Sequence, residues 1–272
     1  MNGRARIGFP GTRRGVPRRP FAPPHPPRNE GSGPARTATM PITPAQFGSD
    51  LRDIRAELVR QGHAITDMAS KVFEAVYQRD TATAREIVTR DDAIDQADVE
   101  IERRSVDLLV RASRETCALD PKAIRSILTA VKVNNELERI ADATTEVAEK
   151  VIRLGDRTTP FPKTLQVMTN SVIGIIRDVV RAFDTSDASL AGAVLASEGA
   201  VLNFNDLIVR DAEQRVADGR MTVDVAFELH GIAAMAVTMA DHCTNIAEQV
   251  IYETTGQIVR HTQGKWVQLP NP

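Results

Sequence analysis

From residue 44 to residue 255, apolar residues recur at three- and four-residue intervals with few interruptions. That is the period of a helix with one buried side. The spacing predicts six helices, at 44–78, 81–116, 121–154, 163–184, 187–218 and 222–255. In the first, Phe47, Leu51, Ile54, Leu58, Ile65 and Met68 share a side, and in the second Ile87, Ile94, Ile101, Val106 and Leu109. The third has the seam Val133, Leu137, Ile140, Thr144, Val147, Val151, Leu154, and the sixth has Leu229, Ile232, Ala236, Met239, Cys243, Ile246, Val250. Both alternate steps of three and four. Sustained over this length, the pattern means helices packed nearly parallel or antiparallel, as in bundles. Strand signals are weak throughout, with no Asn-Gly turn and no long alternating run.

The punctuation agrees with this division. Pro121 sits in the first turn of the third helix, where a missing N–H costs nothing. Gly155 stops that helix, and Asp156-Arg-Thr-Thr-Pro-Phe-Pro162 is the clearest break in the body. Ser186 or Asp187 starts the fifth helix, and Gly256 ends the sixth. The third and sixth helices also repeat each other at an offset of 99 residues. Ala141, Asp142, Thr145, Ala148, Glu149 and Val151 correspond to Ala240, Asp241, Thr244, Ala247, Glu248 and Val250, whereas Glu138 corresponds to Val237. An internal repeat sets architecture before local detail does. The fold class expected is all-α: two tandem three-helix bundles over 44–155 and 163–261, joined by a linker at 156–162, with 262–272 as a C-terminal tail. Each half is too thin to bury both faces alone, so the halves are expected to pack side by side.

Composition agrees and adds an asymmetry. Aromatics make up only 4% of the 272 residues, which suits long packed helices. The net charge is −2, yet residues 1–45 hold eight arginines and one acid for +7, so the rest of the chain carries −9. An acidic body argues against a general nucleic-acid surface. Residues 1–43 are rich in proline and arginine and are expected to be disordered, with Met40 as an alternative translation start. The arginines there precede no apolar run, so no signal peptide is expected. No stretch approaches the roughly 18 uninterrupted apolar residues of a membrane span. The two cysteines, Cys117 and Cys243, lack metal-ligand spacing and fit buried thiols in a reducing compartment.

Candidate chemistry lies in the carboxylates. Glu138 and Asp142 are one helical turn apart, with Glu136 beside them and Glu146 and Glu149 further along. On the second helix Asp91, Asp95, Asp98 and Glu102 form one acidic face, with Asp92 next to it. If adjacent, these two faces repel unless something compensates; Arg103, Arg104, Arg139 or a bound cation would serve. Oxygen ligands suit hard cations or iron rather than a closed zinc site. No Glu-x-x-His occurs, which speaks against a ferritin-like di-iron oxidase. His242 reads as an ordinary helix histidine. No GxGxxG, Walker loop, GxSxG or HExxH is present, so no enzyme is expected. A solvated acidic face is the plain alternative to a metal site.

Asn135-Glu-Leu-Glu-Arg-Ile-Ala-Asp142 resembles the (D/E)LERIGD motif of the PhoU family of phosphate-transport regulatory proteins. Residues 240–252 and 255–261 resemble its GDHATNIAE…TGEIVRH ending, Arg90-Asp-Asp-Ala-Ile-Asp95 its (E)DxxID segment, and residues 119–125 the lead-in to its third helix. The similarity covers about residues 45–261. It implies tandem three-helix bundles in a cytoplasmic protein, often a homodimer. The implied role is negative regulation of phosphate uptake and of the phosphate-starvation response, linking the transporter ATPase to a sensor histidine kinase. It also implies iron or another divalent metal held by ExxxD motifs. Carried over, the ligands would be Asp91, Asp95, Glu138 and Asp142 in the first half and Asp241 in the second, with Glu198 as a further candidate. The second half departs from the family: Val237 and Leu202 stand where acids are expected, and the motif glycine is Ala141 and Ala240. At most one metal cluster is therefore expected, in the first bundle. The alternatives are a carboxylate-bridged metalloenzyme or a plain helical scaffold.

Overall fold

The structure, a computed structural model, describes residues 42–114, 119–262 and 265–269. Six helices form in order: α1 Pro44–Gln78, α2 Thr81–Arg114, α3 Pro121–Leu154, α4 Lys163–Thr185, α5 Ala188–Ala217 and α6 Val223–Thr255. Local chemistry fixes their ends. Thr43 and Gln46 form a reciprocal cap on α1: Gln46 N–H donates to Thr43 Oγ1 at 3.2 Å and Thr43 N–H to Gln46 Oε1 at 2.9 Å. Asp120 accepts from Ala123 N–H at 2.7 Å ahead of Pro121. Asp187 accepts from the N–H groups of Ser189 and Leu190 at 2.9 and 3.0 Å. Gly256 ends α6 at φ 74°, a left-handed conformation that glycine adopts without strain.

Helices α1–α3 pack on one another, as do α4–α6, and the two bundles join through α3 against α6 and α1 against α4. The most extensive neighbour of α3 is α6, in the other repeat. One continuous apolar core runs through both halves. The predicted seams of α3 and α6 are buried without exception. Half of the 34 residues of α3 are buried, against only six of the 30 in α5, so α3 is covered on more than one side. At the α1–α4 crossing, Gly62 lets the helices meet. A Cβ there would lie 2.7 Å from a methyl of Val180.

Several expectations change. On α2 the buried side after Ile101 runs through Ser105, Leu108 and Ala112, while Val106 is 53% exposed and Leu109 only half-buried. A step of four from Ile101 lands on Ser105, whose hydroxyl bonds to the Ile101 carbonyl at 2.8 Å. That bond hides a polar residue in the core, and an apolar count then slips by one position. The weak strand signal also misled. Ile258–Thr262 (β1) and Lys265–Leu269 (β2) pair antiparallel, with Thr262 opposite Lys265, so much of the expected 262–272 tail is a strand. A hairpin of ten paired residues is too short to give a long alternating run. The expected disordered segment falls outside the described residues as far as residue 41. Ile42, in contrast, is buried and Thr43 caps α1. Cys117 lies outside the described residues, and Cys243 is a fully buried free thiol whose pKa burial drives up.

By length and composition α6 is apolar enough to cross a membrane. In the fold its apolar stripe faces α3, α4 and α5. Glu248 and Glu253 on the same helix are also buried.

Candidate functional site

Helices α2 and α3 run antiparallel, and two side-chain bonds set their register across the acidic faces. Asn134 Nδ2 donates to the carbonyl and to Oδ1 of Asp98, at 2.9 and 2.6 Å. One end further, Thr145 Oγ1 donates to Asp91 Oδ1 at 3.1 Å. This register places Asp91, Asp95 and Asp142 so that one carboxylate oxygen from each lies within 4.8 Å of the others. Of the predicted ligands these three come together. Glu138 stands beside the group, close enough for Asp142, Asp98 and Asp95 to act on its charge.

Electrostatics show uncompensated charge. Burial raises the pKa of Asp91 first, the Thr145 hydroxyl opposes it, and Asp95, Asp142 and Asp92 add to the rise. Burial also leads for Asp98, followed by Glu102 and Asp95, against the Asn134 amide. For Glu138 burial again dominates, then Asp142 and Asp98, with Arg139 in opposition. Arg103 does not neutralise the groove, because Glu100 holds it from the same helix, at 2.7 and 2.9 Å. Among the described residues no ion pair reaches Asp91, Asp95 or Asp142, and an all-oxygen set of this spacing fits a hard divalent cation. Its three members are all aspartates.

The second repeat builds no equivalent. Val237 packs half-buried against the core, and Leu202 is 43% exposed. Glu198 is half-buried on α5. Among the described residues no second group of three metal-binding side chains comes within such reach. Asp241 lies elsewhere, in a polar groove between α3 and α6 with Lys132, Asn135, Glu136, Asn245 and Gln249. There His242 Nδ1 donates to Glu136 Oε2 at 2.8 Å, and Asn245 Nδ2 reaches the same oxygen at 3.2 Å. The histidine taken as an ordinary helix residue thus ties the two repeats together. Sequence reasoning missed it because its partner is 106 residues away. The recurrence of the two motifs at a fixed offset was the available signal.

Fold and face together define a duplicated three-helix-bundle protein with a carboxylate-lined helix pair in its first half. The family model described as "PhoU domain" matches residues 58–151 and 165–250, once per repeat. The chain belongs to the PhoU family. Among its curated relatives are the Thermotoga maritima "Phosphate-specific transport system accessory protein PhoU homolog 1", 26% identical over 78% of this chain and 90% of that protein, and a Zymomonas mobilis homolog, 29% identical over 80% and 91%. The crystal structure of PhoU from Pseudomonas aeruginosa superposes with a TM-score of 0.73 at 24% identity, covering 78% of this chain and all of that one. PhoU from Streptococcus pneumoniae gives the same score at 21% identity.

Proposed function

We propose that this protein is a negative regulator of phosphate uptake and of the phosphate-starvation response. It acts by binding, as a cytoplasmic adaptor between the ATPase of a phosphate transporter and a sensor histidine kinase, and it works as a homodimer. The observation that carries this reading is the family match in both repeats. The relatives named as phosphate-specific transport system accessory proteins support it, since the similarity extends over 90% or more of several of them. The fused core adds a physical reason: two bundles that share one core would move together, which suits a protein that conveys occupancy from one partner to another. Deletion of the gene is expected to raise phosphate uptake and alkaline phosphatase in high phosphate. Normal repression in the deletion strain overturns the proposal. Affinity purification in high and low phosphate is expected to recover a transporter ATPase or a histidine kinase.

Within this role, Asp91, Asp95 and Asp142 would hold one divalent ion, iron or another hard metal, with Glu138 as a neighbouring acceptor. The ion would supply positive charge that relieves the repulsion between the α2 and α3 faces. Elemental analysis of purified protein checks this: the pair Glu138→Ala and Asp142→Ala is expected to lose most of the bound metal, and an unchanged stoichiometry rejects the assignment.

A further inference from the structure

The seam between α3 and α6 carries the internal repeat into three dimensions. Exchanging the repeats at the 99-residue offset turns the pair Lys150 and Gly231 into Gln249 and Lys132. The two places are built differently. At the first, the lysine stem runs over the glycine. A Cβ on Gly231 would lie 2.7 Å from Lys150 Nζ, 2.8 Å from Cε and 3.1 Å from Cδ. The ammonium ends 3.0 Å from Glu146, and Lys150 is only 9% exposed. That part of the seam is filled by the protein's own alkylammonium chain.

At the second place Gln249 replaces the lysine and Lys132 replaces the glycine. Glutamine reaches less far and carries no charge, and a groove of about 590 Å³ stands there. Its lining is polar throughout: the amides Asn135, Asn245 and Gln249, the carboxylates Glu136, Asp241 and Glu248, and the cations Lys132 and Arg260. Asp241 occupies the position of Asp142, and Asn245 that of Glu146. Charge is unevenly committed around the groove. Arg260 is held by Glu248, and Glu136 takes hydrogen bonds from His242 and Asn245. Asp241 and Lys132 have no ion pair among the described residues. Lys132 is exposed, and a long exposed lysine keeps its head in water. Three carboxylates therefore meet two cations, one of them already paired.

We infer that this groove is a binding site for an alkylammonium group, a partner's lysine side chain or a free amine, seated as Lys150 is seated in the other repeat. The stem would lie along the seam between α3 and α6. The ammonium would donate to Asp241, to Glu136 and to the amide oxygens nearby. The exposed ion pair to Asp241 changes the affinity by no more than about fivefold, so the site is a weak one.

Nitrogen-15 NMR of the whole protein tests this with Nα-acetyl-lysine amide as the probe. Saturable shifts are expected at Asn135, Asp241, Asn245 and Gln249. The same probe acetylated on Nε should leave them still. The double variant Lys132→Gly with Gln249→Lys copies the filled half of the seam and is expected to abolish the shifts while keeping its helical circular dichroism. Asp241→Asn, a surface change that leaves the core intact, is expected to weaken binding roughly fivefold and decides the matter if the double variant does not fold. Spermidine in a parallel titration separates the sources: tighter binding than the lysine probe assigns a free amine, weaker binding a partner's lysine. Absence of saturable shifts, equal shifts with the Nε-acetylated probe, or undiminished binding by Asp241→Asn overturns the inference.

Discussion

Asp91, Asp98 and Glu138 all have carboxyl groups that burial pushes above their ordinary range, with neighbouring carboxylates adding to the effect. A carboxyl with a raised folded pKa ionises more readily in the unfolded chain, so its charge costs stability at neutral pH. The cost fades as pH falls through the raised folded value and is gone below the ordinary carboxylate pKa of about 4, where the group is protonated in both states. Asp80, Asp218 and Asp224, whose pKa values hydrogen bonds lower, act in the opposite sense at still lower pH. In chelator, Glu138→Gln is therefore expected to raise the melting temperature at pH 7, on the order of 1 °C because the group is half-exposed. The difference should shrink as pH falls and vanish only below about pH 4, and a variant that melts lower than the parent at pH 7 refutes the account. At this scale the sequence was half legible. Spacing alone put Asp91, Asp95, Asp98 and Glu102 on one face. It did not reveal that Asn134 and Thr145 set the register, nor that Glu138 falls beside the aspartate trio, because those facts depend on how far α3 slides along α2.

Elements here are held at their ends as well as along their seams. Arg55 on α1 reaches both carboxylate oxygens of Glu253 near the end of α6, at 2.7 and 2.8 Å. Its other nitrogen donates to the Phe183 carbonyl at 2.6 Å, and the guanidinium lies 4.2 Å above the Phe183 ring near the end of α4. One side chain thus joins three helices from both repeats. Glu253 is 5% exposed, so losing the guanidinium leaves a buried carboxylate unpaired. Arg55→Ala is expected to cost about 3 kcal/mol in denaturant unfolding, and a loss below about 1 kcal/mol would show that water replaces the arginine. The six helices were readable from period and caps because those signals are local. This clamp was not, since its members lie 198 residues apart. Ser105 shows a different limit: a polar residue that satisfies itself on its own helix can occupy a core position, and the apolar pattern then points one residue away.

For the molecule as a whole, the question is whether two repeats make two domains. The repeat and the linker at 156–162 invite that division, and the family match falls into two segments. The packing argues for one cooperative unit. Half of α3 is buried, more than the single apolar stripe of an amphipathic helix requires, and its largest contact is with α6 across the repeat boundary. That contact includes the Glu136–His242 bond, the Arg153–Glu228 pair at 2.9 Å and Lys150 lying over Gly231. Ala141 and Ala240, the small residues that the repeat aligns, are each 1% exposed, which lets the two central helices come close. A half expressed alone would expose this side of α3 or of α6 to water and lose the core it shares. The intact protein is therefore expected to unfold in a single transition, with its calorimetric and van't Hoff enthalpies in agreement. Residues 42–158 and 159–272, expressed separately, are each expected to melt broadly and well below the intact chain, and to recover one sharp transition when refolded together. Sharp melting of either half at the temperature of the intact chain would mean that the bundles are independent domains. The slab could then not carry a change at one bundle to a partner on the other, and regulation would have to run through the linker instead.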